Sequence, residues 1–347
     1  MDNTIIDIER MSININENHD AININNLSLL SKKELLIKCN TLGITKYISK
    51  NKVELINLIK LNILNNNQLI NLTDVPLINL TAQPISHKLK PLIKWSGGKS
   101  DEIKLFEKYF PAIYDTYIEP FIGGGAVYFY LNPSKAVITD VHTELIDLYN
   151  SIKSGYINEI YNFMQLNNNN EDTYYQIRDN MKIYTELDNA KRFYYQRKTC
   201  FRGMLRYNKN GKFNIPYGKY KSINYSDLQN KKYEELLKKT EIINTSFEYV
   251  FENYNNENNF MFLDPPYDSE FTDYGYCKFG KDEHIKLAEC FKHTRIKCLM
   301  IIGKTTFISE LYKDYIVDEY SKQYKFKLYA GRVGDEINTK HLIIKNY

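Results

Sequence analysis

From position 91 onward, short apolar runs alternate with stretches whose apolar residues recur every three or four positions. YIEPF (117–121), AVITD (136–140), NFMFLD (259–264) and CLMIIG (298–303) are short and almost continuously apolar, the pattern of strands buried on both faces. Residues 101–109 and 282–293 carry helical spacing between them. Such alternation predicts an α/β domain around a central, mostly parallel sheet. The last two apolar runs, FKLYAG (326–331) and KHLIIKNY (340–347), lie too close together for a crossover and predict an antiparallel hairpin at the sheet edge.

Two departures from this rhythm set the domain plan. Residues 155–228 interrupt it with a long helical stretch and then a segment rich in Tyr, Arg and Lys, which reads as an inserted lobe. Ahead of the main domain, residues 27–65 hold Ser31 with Glu34 and Asn51 with Glu54 at helix-starting spacing, and Leu35, Leu42, Val53, Ile56 and Ile59 supply apolar faces. Two short helices joined around Gly43 are expected there. Residues 1–26 are Asn-rich with isolated apolar positions and predict a disordered tail, and 66–90, with Pro76 and Pro84, a linker.

Composition adds exclusions. A chain of 347 residues with 43% hydrophobic residues can bury a substantial core. Its formal charge of +4 permits an acidic partner without requiring one. The five cysteines are scattered without a CxxC pair, which fits a reducing compartment and offers neither zinc site nor redox dithiol. No apolar stretch is long enough for a membrane span, MDNTIIDIER does not resemble a secretion signal, and the six histidines show no ligand spacing, so a soluble intracellular protein without a metal is expected. The abundance of Asn, Ile, Lys and Tyr fits an AT-rich coding genome, which leaves the Asn runs without need of a functional account.

The chemistry concentrates at three places. Asp264-Pro265-Pro266-Tyr267 follows an apolar strand directly, so two prolines stiffen the chain at the end of a strand, where ligands bind in α/β sheets. Adenine N6 is a poor nucleophile because its lone pair is delocalised into the ring. Asp264 can accept from one N6 hydrogen and the Pro265 carbonyl from the other, while Tyr267 offers a face on which an extruded base can stack. The bland alternative is a turn with a phenol packed in the core. Upstream, YIEPF runs into Gly123, Gly124 and Gly125 and then an apolar helix, a loop that lets a nucleotide-like cofactor approach the backbone. Asp140 ends the next strand, where a carboxylate can hold ribose hydroxyls or cap a helix. Trp95, the only tryptophan, stands beside Gly97-Gly98 and Lys99.

The third place is CFRGMLRYNKNGKFNIPYGKYKS (200–222), where Asn210-Gly211 signals a hairpin and basic and aromatic residues interleave. Arg202, Arg206, Lys209, Lys212, Lys219 and Lys221 can contact phosphates or guanine edges, and Phe201, Met204 and Tyr217 can wedge into a base stack. An exposed, solvated ribbon or a protein interface is the alternative.

In the order KWSGGK, EPFIGGG, insert and DPPY, residues 91–347 resemble the Dam family of DNA adenine methyltransferases. The resemblance implies a Rossmann-like methyltransferase sheet and S-adenosyl-L-methionine as cofactor. It implies a cofactor site of Trp95, Lys99, Glu119, Pro120, Phe121, the Gly123–Gly125 loop, Asp140 and Asp264, with Phe247 and Glu248 lining its adenine pocket. Phe271, Thr272 and Tyr274 would form a loop over the target base. Double-stranded DNA is the implied substrate, GATC the first target to test, and a cognate restriction endonuclease acting on the same site the implied partner. Arg206 becomes the guanine contact, with Phe201, Met204 and Pro216 nearby; Asn210 at the hairpin turn also counts among the DNA-binding residues, and Arg202 stands where relatives often carry Asn. Residues 27–65 resemble a SAP motif, a small helical module that often binds DNA. Lys32, Lys33, Lys46, Lys50 and Lys52 would face it, unless the helices pack on protein instead. Methylation of RNA adenine, cytosine N4 or a protein glutamine is a rival within the same loop logic, although such relatives usually carry Ser or Asn before PPY. A catalytically silent DNA-binding protein on the same fold is a rival of another class. A Rossmann oxidoreductase lacks its GxGxxG here.

Overall fold

The computed structural model describes residues 89–268, 278–323 and 338–347, together with Leu27, 30–42, Ile44, Tyr47 and 50–67. The chain divides into two compact units, Met1–Asn79 and Leu80–Tyr347. The tail expected over 1–26 and nearly all of the expected linker fall outside the described residues, as do Phe271, Thr272 and Tyr274.

In the smaller unit, helix α1 (Lys32–Thr41) starts where Ser31 and Glu34 cap each other reciprocally, and α2 (Lys52–Asn67) starts on the same exchange between Asn51 and Glu54. Each exchange satisfies amides that a helix start would otherwise leave open. Leu27, Leu35, Cys39, Leu55 and Ile59 close a small core between the helices.

The larger unit is built on one seven-stranded sheet in the order β3-β2-β1-β4-β5-β7-β6. Its strands are β1 (Tyr117–Glu119), β2 (Ala136–Asp140), β3 (Thr240–Asn244), β4 (Phe260–Leu263), β5 (Lys297–Gly303), β6 (Ile316–Gln323) and β7 (Asn338–Lys345). The first five run parallel, and β7 enters antiparallel between β5 and β6. This is a Rossmann-like sheet, mixed α/β as the alternating pattern predicts.

Strand residues alternate strictly between two cores. Tyr117, Ile138, Phe260, Phe262, Leu299 and Ile301 face one, and Ile118, Val137, Met261, Leu263, Met300 and Ile302 face the other. The first is covered by helices α4 (Ala126–Leu131), α5 (Thr143–Lys153), α6 (Ile157–Leu166), short α7 (Glu171–Tyr175), α8 (Glu186–Thr199) and α9 (Lys232–Lys238). The second is covered by α10 (Phe247–Asn253), α11 (Lys281–His293) and α12 (Thr306–Leu311). Within the expected helical stretch 101–109, α3 is limited to Ile103–Phe106, followed by a 3-10 turn at Glu107–Tyr109. No helix among the described residues is long and apolar enough to cross a membrane.

Two strands differ from expectation. TEIIN became β3 although its pattern is mixed, because at the sheet edge Ile242 and Ile243 cover the two cores only in part and pairing with β2 completes the strand. The terminal hairpin exists, but β7 pairs with Ile316–Gln323, while FKLYAG lies outside the described residues.

Phe262 on the central strand β4 stacks on Phe106 of α3, with ring centroids 5.6 Å apart. Phe262→Ala would leave a cavity under that ring and is expected to lower unfolding free energy by about 3–5 kcal/mol in urea denaturation. A loss below about 1 kcal/mol would show that this face of the sheet can collapse around the gap.

Candidate active site

Strand order reverses at β1: β2 lies on one side and β4 on the other. Their connections leave in opposite directions, so the carboxyl ends of β1 and β4 open a crevice between them. The glycine loop follows β1 and Asp264–Tyr267 follows β4, which brings two distant motifs into one place.

The glycine loop is held from three sides. Gly123 and Gly125 take φ of 44° and 70°, a region costly to other residues. A Cβ on Gly123 would fall 2.6 Å from the Trp95 ring, and one on Gly125 2.9 Å from Phe129, so the indole and the core close directly onto bare backbone. Asp140 accepts from the Gly123 amide at 3.0 Å and from the His142 amide at 3.0 Å. Burial outweighs these bonds and raises the Asp140 pKa to about 6. Glu119 is buried, and its Oε2 accepts from the Tyr117 hydroxyl at 2.6 Å and the Tyr128 amide at 3.1 Å, which ties the end of β1 to α4; burial drives its pKa well up. The Pro120 carbonyl accepts from Thr139.

Beyond β4, the Lys99 ammonium, 1% exposed, meets Asp264 Oδ1 at 2.5 Å and the Gly97 carbonyl at 2.8 Å. Burial raises the Asp264 pKa, and the Lys99 charge works against that rise. A fifth of the Asp264 side chain stays accessible, so the carboxylate is open to the crevice. The Lys99 ammonium also lies 5.2 Å from the centre of the Tyr267 ring. Gly303 at the end of β5 lets that ring approach, since a Cβ there would come within 3.2 Å of it.

Sequence reasoning missed the groups that back this cluster. Glu102 is buried and bonded to His341 Nδ1 at 2.7 Å, the Tyr320 hydroxyl at 2.7 Å and the Lys322 ammonium at 2.7 Å. Burial opposes its ionisation, but these partners and Lys99 prevail and hold its pKa at about 2. His341 on β7 then meets Tyr267 edge to face at 5.3 Å. Glu102 was available as an acid three positions from Lys99; His341 is brought in by topology alone.

On the other side of the glycine loop, Phe121, Phe247 and Phe279 form an aromatic wall, with Phe121 5.7 Å from each of the other two. Glu248 stands beside Phe247, and its buried Oε2 has no hydrogen-bond partner. A buried acceptor without a partner is one that an amino group could satisfy.

The basic segment folds into a sparse antiparallel ribbon. It is pinned by bridges Cys200–Tyr217 and Tyr207–Phe213 rather than by continuous strands. At its turn Gly211 alone is left-handed, and Asn208 accepts from the Asn210 and Lys212 amides. Phe201, Arg202, Arg206, Asn210, Lys212, Pro216, Lys219 and Lys221 are exposed, and Met204 is half-buried. Arg206 donates from Nε to Asn214 Oδ1 at 2.8 Å and from Nη2 to the Asn214 carbonyl at 3.2 Å, which holds the exposed guanidinium against the opposite side of the ribbon. Tyr217 is buried, with its hydroxyl on the Asn169 carbonyl, so it supports the ribbon and is not available as a wedge. Among the described residues no group of three or more His, Cys, Asp or Glu could hold a metal ion.

Comparison with known proteins identifies the family. Residues 95–328 match the family described as D12 class N6 adenine-specific DNA methyltransferase. The chain is 57% identical over 261 residues to the Type II methyltransferase M.CviBI of Paramecium bursaria Chlorella virus NC1A, a match covering 75% of this chain and 100% of that protein. It is 36% identical over 232 residues to the Type II methyltransferase M.MjaIII of Methanocaldococcus jannaschii, covering 59% and 80% of the two chains. To the DNA adenine methylase of Haemophilus influenzae it is 30% identical over 249 residues, covering 66% and 86%.

Lys99→Met keeps bulk but removes the charge beside Asp264, whose folded-state pKa would rise further. The variant then loses stability where the carboxyl must ionise and recovers it as pH falls below the ordinary aspartate value. A deficit of about 2 kcal/mol near pH 7, shrinking toward zero near pH 4, is expected from urea denaturation across pH. A deficit of constant size would mean that Lys99 does not act through Asp264.

Proposed function

The chain belongs to the D12 class of N6 adenine-specific DNA methyltransferases, and from that premise we propose how its residues divide the work. The residues at the carboxyl ends of β1 and β2 would hold S-adenosyl-L-methionine, and Tyr267 would offer its ring to an adenine turned out of the duplex. The observation that carries this reading is the Lys99–Asp264 pair at the crevice, within reach of both motifs.

The residues present fit the cofactor. The Gly123–Gly125 loop with Trp95 packed against it would hold the cofactor at the end of β1, Asp140 would accept from ribose hydroxyls, and Phe121, Phe247 and the Glu248 carboxylate would line the adenine ring. Trp95 closes the far side of the loop. When bound, the cofactor supplies an electrophilic sulfonium methyl group.

Asp264 accepts one hydrogen of the target amino group, and the Pro265 carbonyl accepts the other. Together they draw the nitrogen lone pair out of conjugation where the transition state needs it. Lys99 favours the ionised form of Asp264 against the cost of burial, so that an acceptor is present at neutral pH. Pro265 and Pro266 hold the carbonyl and ring in place without a rearrangement at the moment of reaction. Glu102 and His341 keep the Tyr267 ring at a fixed angle from behind.

The ribbon over 200–221 reads the duplex. Arg206, based on Asn214, contacts a guanine edge, and exposed Phe201 fills the stack left by the departing base, with Met204 and Pro216 beside it. Arg202, Lys212, Lys219 and Lys221 meet phosphates, and Asn210 approaches at the turn. The SAP-like helices add contacts through exposed Lys32, Lys33 and Lys52, since Glu34 and Glu54 are spent on capping. The names of two relatives as Type II methyltransferases support a protective role beside an endonuclease acting on the same site.

Transfer of labelled methyl from S-adenosyl-L-methionine to an unmethylated duplex, followed by nucleoside analysis and mapping of modified positions, tests the reading. N6-methyladenine confined to one short motif is expected; label on RNA alone would overturn the DNA assignment. Asp264→Ala should reduce transfer below detection while the thermal melt stays cooperative, and retained transfer would remove Asp264 from the chemistry. Arg206→Ala should cost about 1–3 kcal/mol of discrimination at one guanine. Equal discrimination among single-base variants would take Arg206 out of the readout.

A further inference from the structure

Arg197, near the end of α8, is 2% exposed, yet it carries a full charge. Its guanidinium donates to the carbonyls of Lys94, Gly203 and Met204, the Gly203 bond at 2.7 Å, and lies 5.5 Å from the centre of the Trp95 ring. Those carbonyls belong to two segments with different tasks. Lys94 and Trp95 belong to the loop that closes on Gly123. Gly203 and Met204 belong to the turn that projects Phe201, and there Arg202 and Gly203 adopt φ of 56° and 62°. A left-handed non-glycine residue persists only where its surroundings hold it. The Arg197 bonds to Gly203 and Met204 hold it from the side of the cofactor loop, beside the backbone bonds that Gly203 and Met204 donate to Cys200 and Phe201.

A second route runs parallel to the first. His142 donates its amide to Asp140, caps α5 through Leu145, and packs edge-on against Trp95 at 5.5 Å. Its Nε2 lies 2.7 Å from the hydroxyl of Tyr207, which also donates to Glu144. Burial and the Arg197 charge lower the His142 pKa to about 3, so the ring stays neutral and its hydrogen-bond roles fixed. If only packing were required at position 197, an apolar side chain would fill it at lower desolvation cost.

We propose that Arg197 is a positioning residue that couples the two ligands of this enzyme: filling the cofactor site fixes Trp95 and Lys94, and through Arg197 fixes the Phe201–Met204 turn in the shape that meets DNA. The inference rests on the assignment of the two sites given above. Such coupling is reciprocal, so DNA must tighten cofactor binding by the same factor.

The test measures duplex affinity by fluorescence anisotropy, without and with saturating S-adenosylhomocysteine, and cofactor-product affinity by calorimetry, without and with duplex. The duplex carries the motif found by methylation mapping. In the wild-type protein both ratios should agree at about fivefold or more. In Arg197→Met they should fall to about one, with Arg197→Lys between. Tyr207→Phe, which keeps the ring and removes only the second route, should lower the ratio in part. A merely structural role would weaken each affinity and leave the ratio unchanged, which would overturn the proposal. So would a wild-type ratio within about twofold of one, a result that needs no variant to fold. Failure to bind either ligand alone would instead strike the site assignment on which the proposal rests.

Discussion

A lysine with 1% of its surface exposed needs a counter-charge, and Lys99 finds it in Asp264, 165 positions away. That single ion pair fastens the segment ahead of the sheet to the end of its central strand. Losing either partner would leave the other buried and uncompensated. The crevice between β1 and β4 is therefore not simply a gap left by the reversal of strand order. Its floor is electrostatically determined, and the glycine loop, the proline pair and the Tyr267 ring are arranged around it.

The pair also explains why so many charges gather in one small volume. Asp264 and Glu119 are pushed toward protonation by burial, while Glu102 is pulled far the other way by His341, Lys322 and Lys99. Acids with such different environments can take different tasks within one site. Asp264 remains partly accessible, whereas Glu119 and Glu102 are sealed within the protein.

Much of this was legible in the sequence because local patterns carried it. The strands ending in Asp140 and Asp264, the glycine loop, both capping exchanges and the exposed basic ribbon follow from spacing and residue type. What escaped was set by distance along the chain. Nothing around His341 marks it out: it reaches Tyr267 only because β7 slots in beside β5. Arg197 sits in the long helical stretch of the insert, where nothing in the residue pattern sets it apart from its neighbours Lys191, Arg192 and Lys198 until its carbonyl partners are seen. Strand β3 was missed because an edge strand needs less apolar character than its neighbours, and Tyr217 was misplaced because alternation along an irregular ribbon does not tell which side is buried.

The position of β7 bears on how the molecule comes together. Glu102 and His341 meet across 239 positions, and β7 must insert between two strands that precede it in the chain. Contacts of that span repay their loop-closure entropy only after the rest of the sheet exists. The wall behind Tyr267 thus belongs to the late part of folding, and a chain with its parallel core already formed would still lack a rigid stacking surface. Competence to act on a base would then arrive with the final closure of the sheet, so that a half-assembled chain is silent rather than indiscriminate.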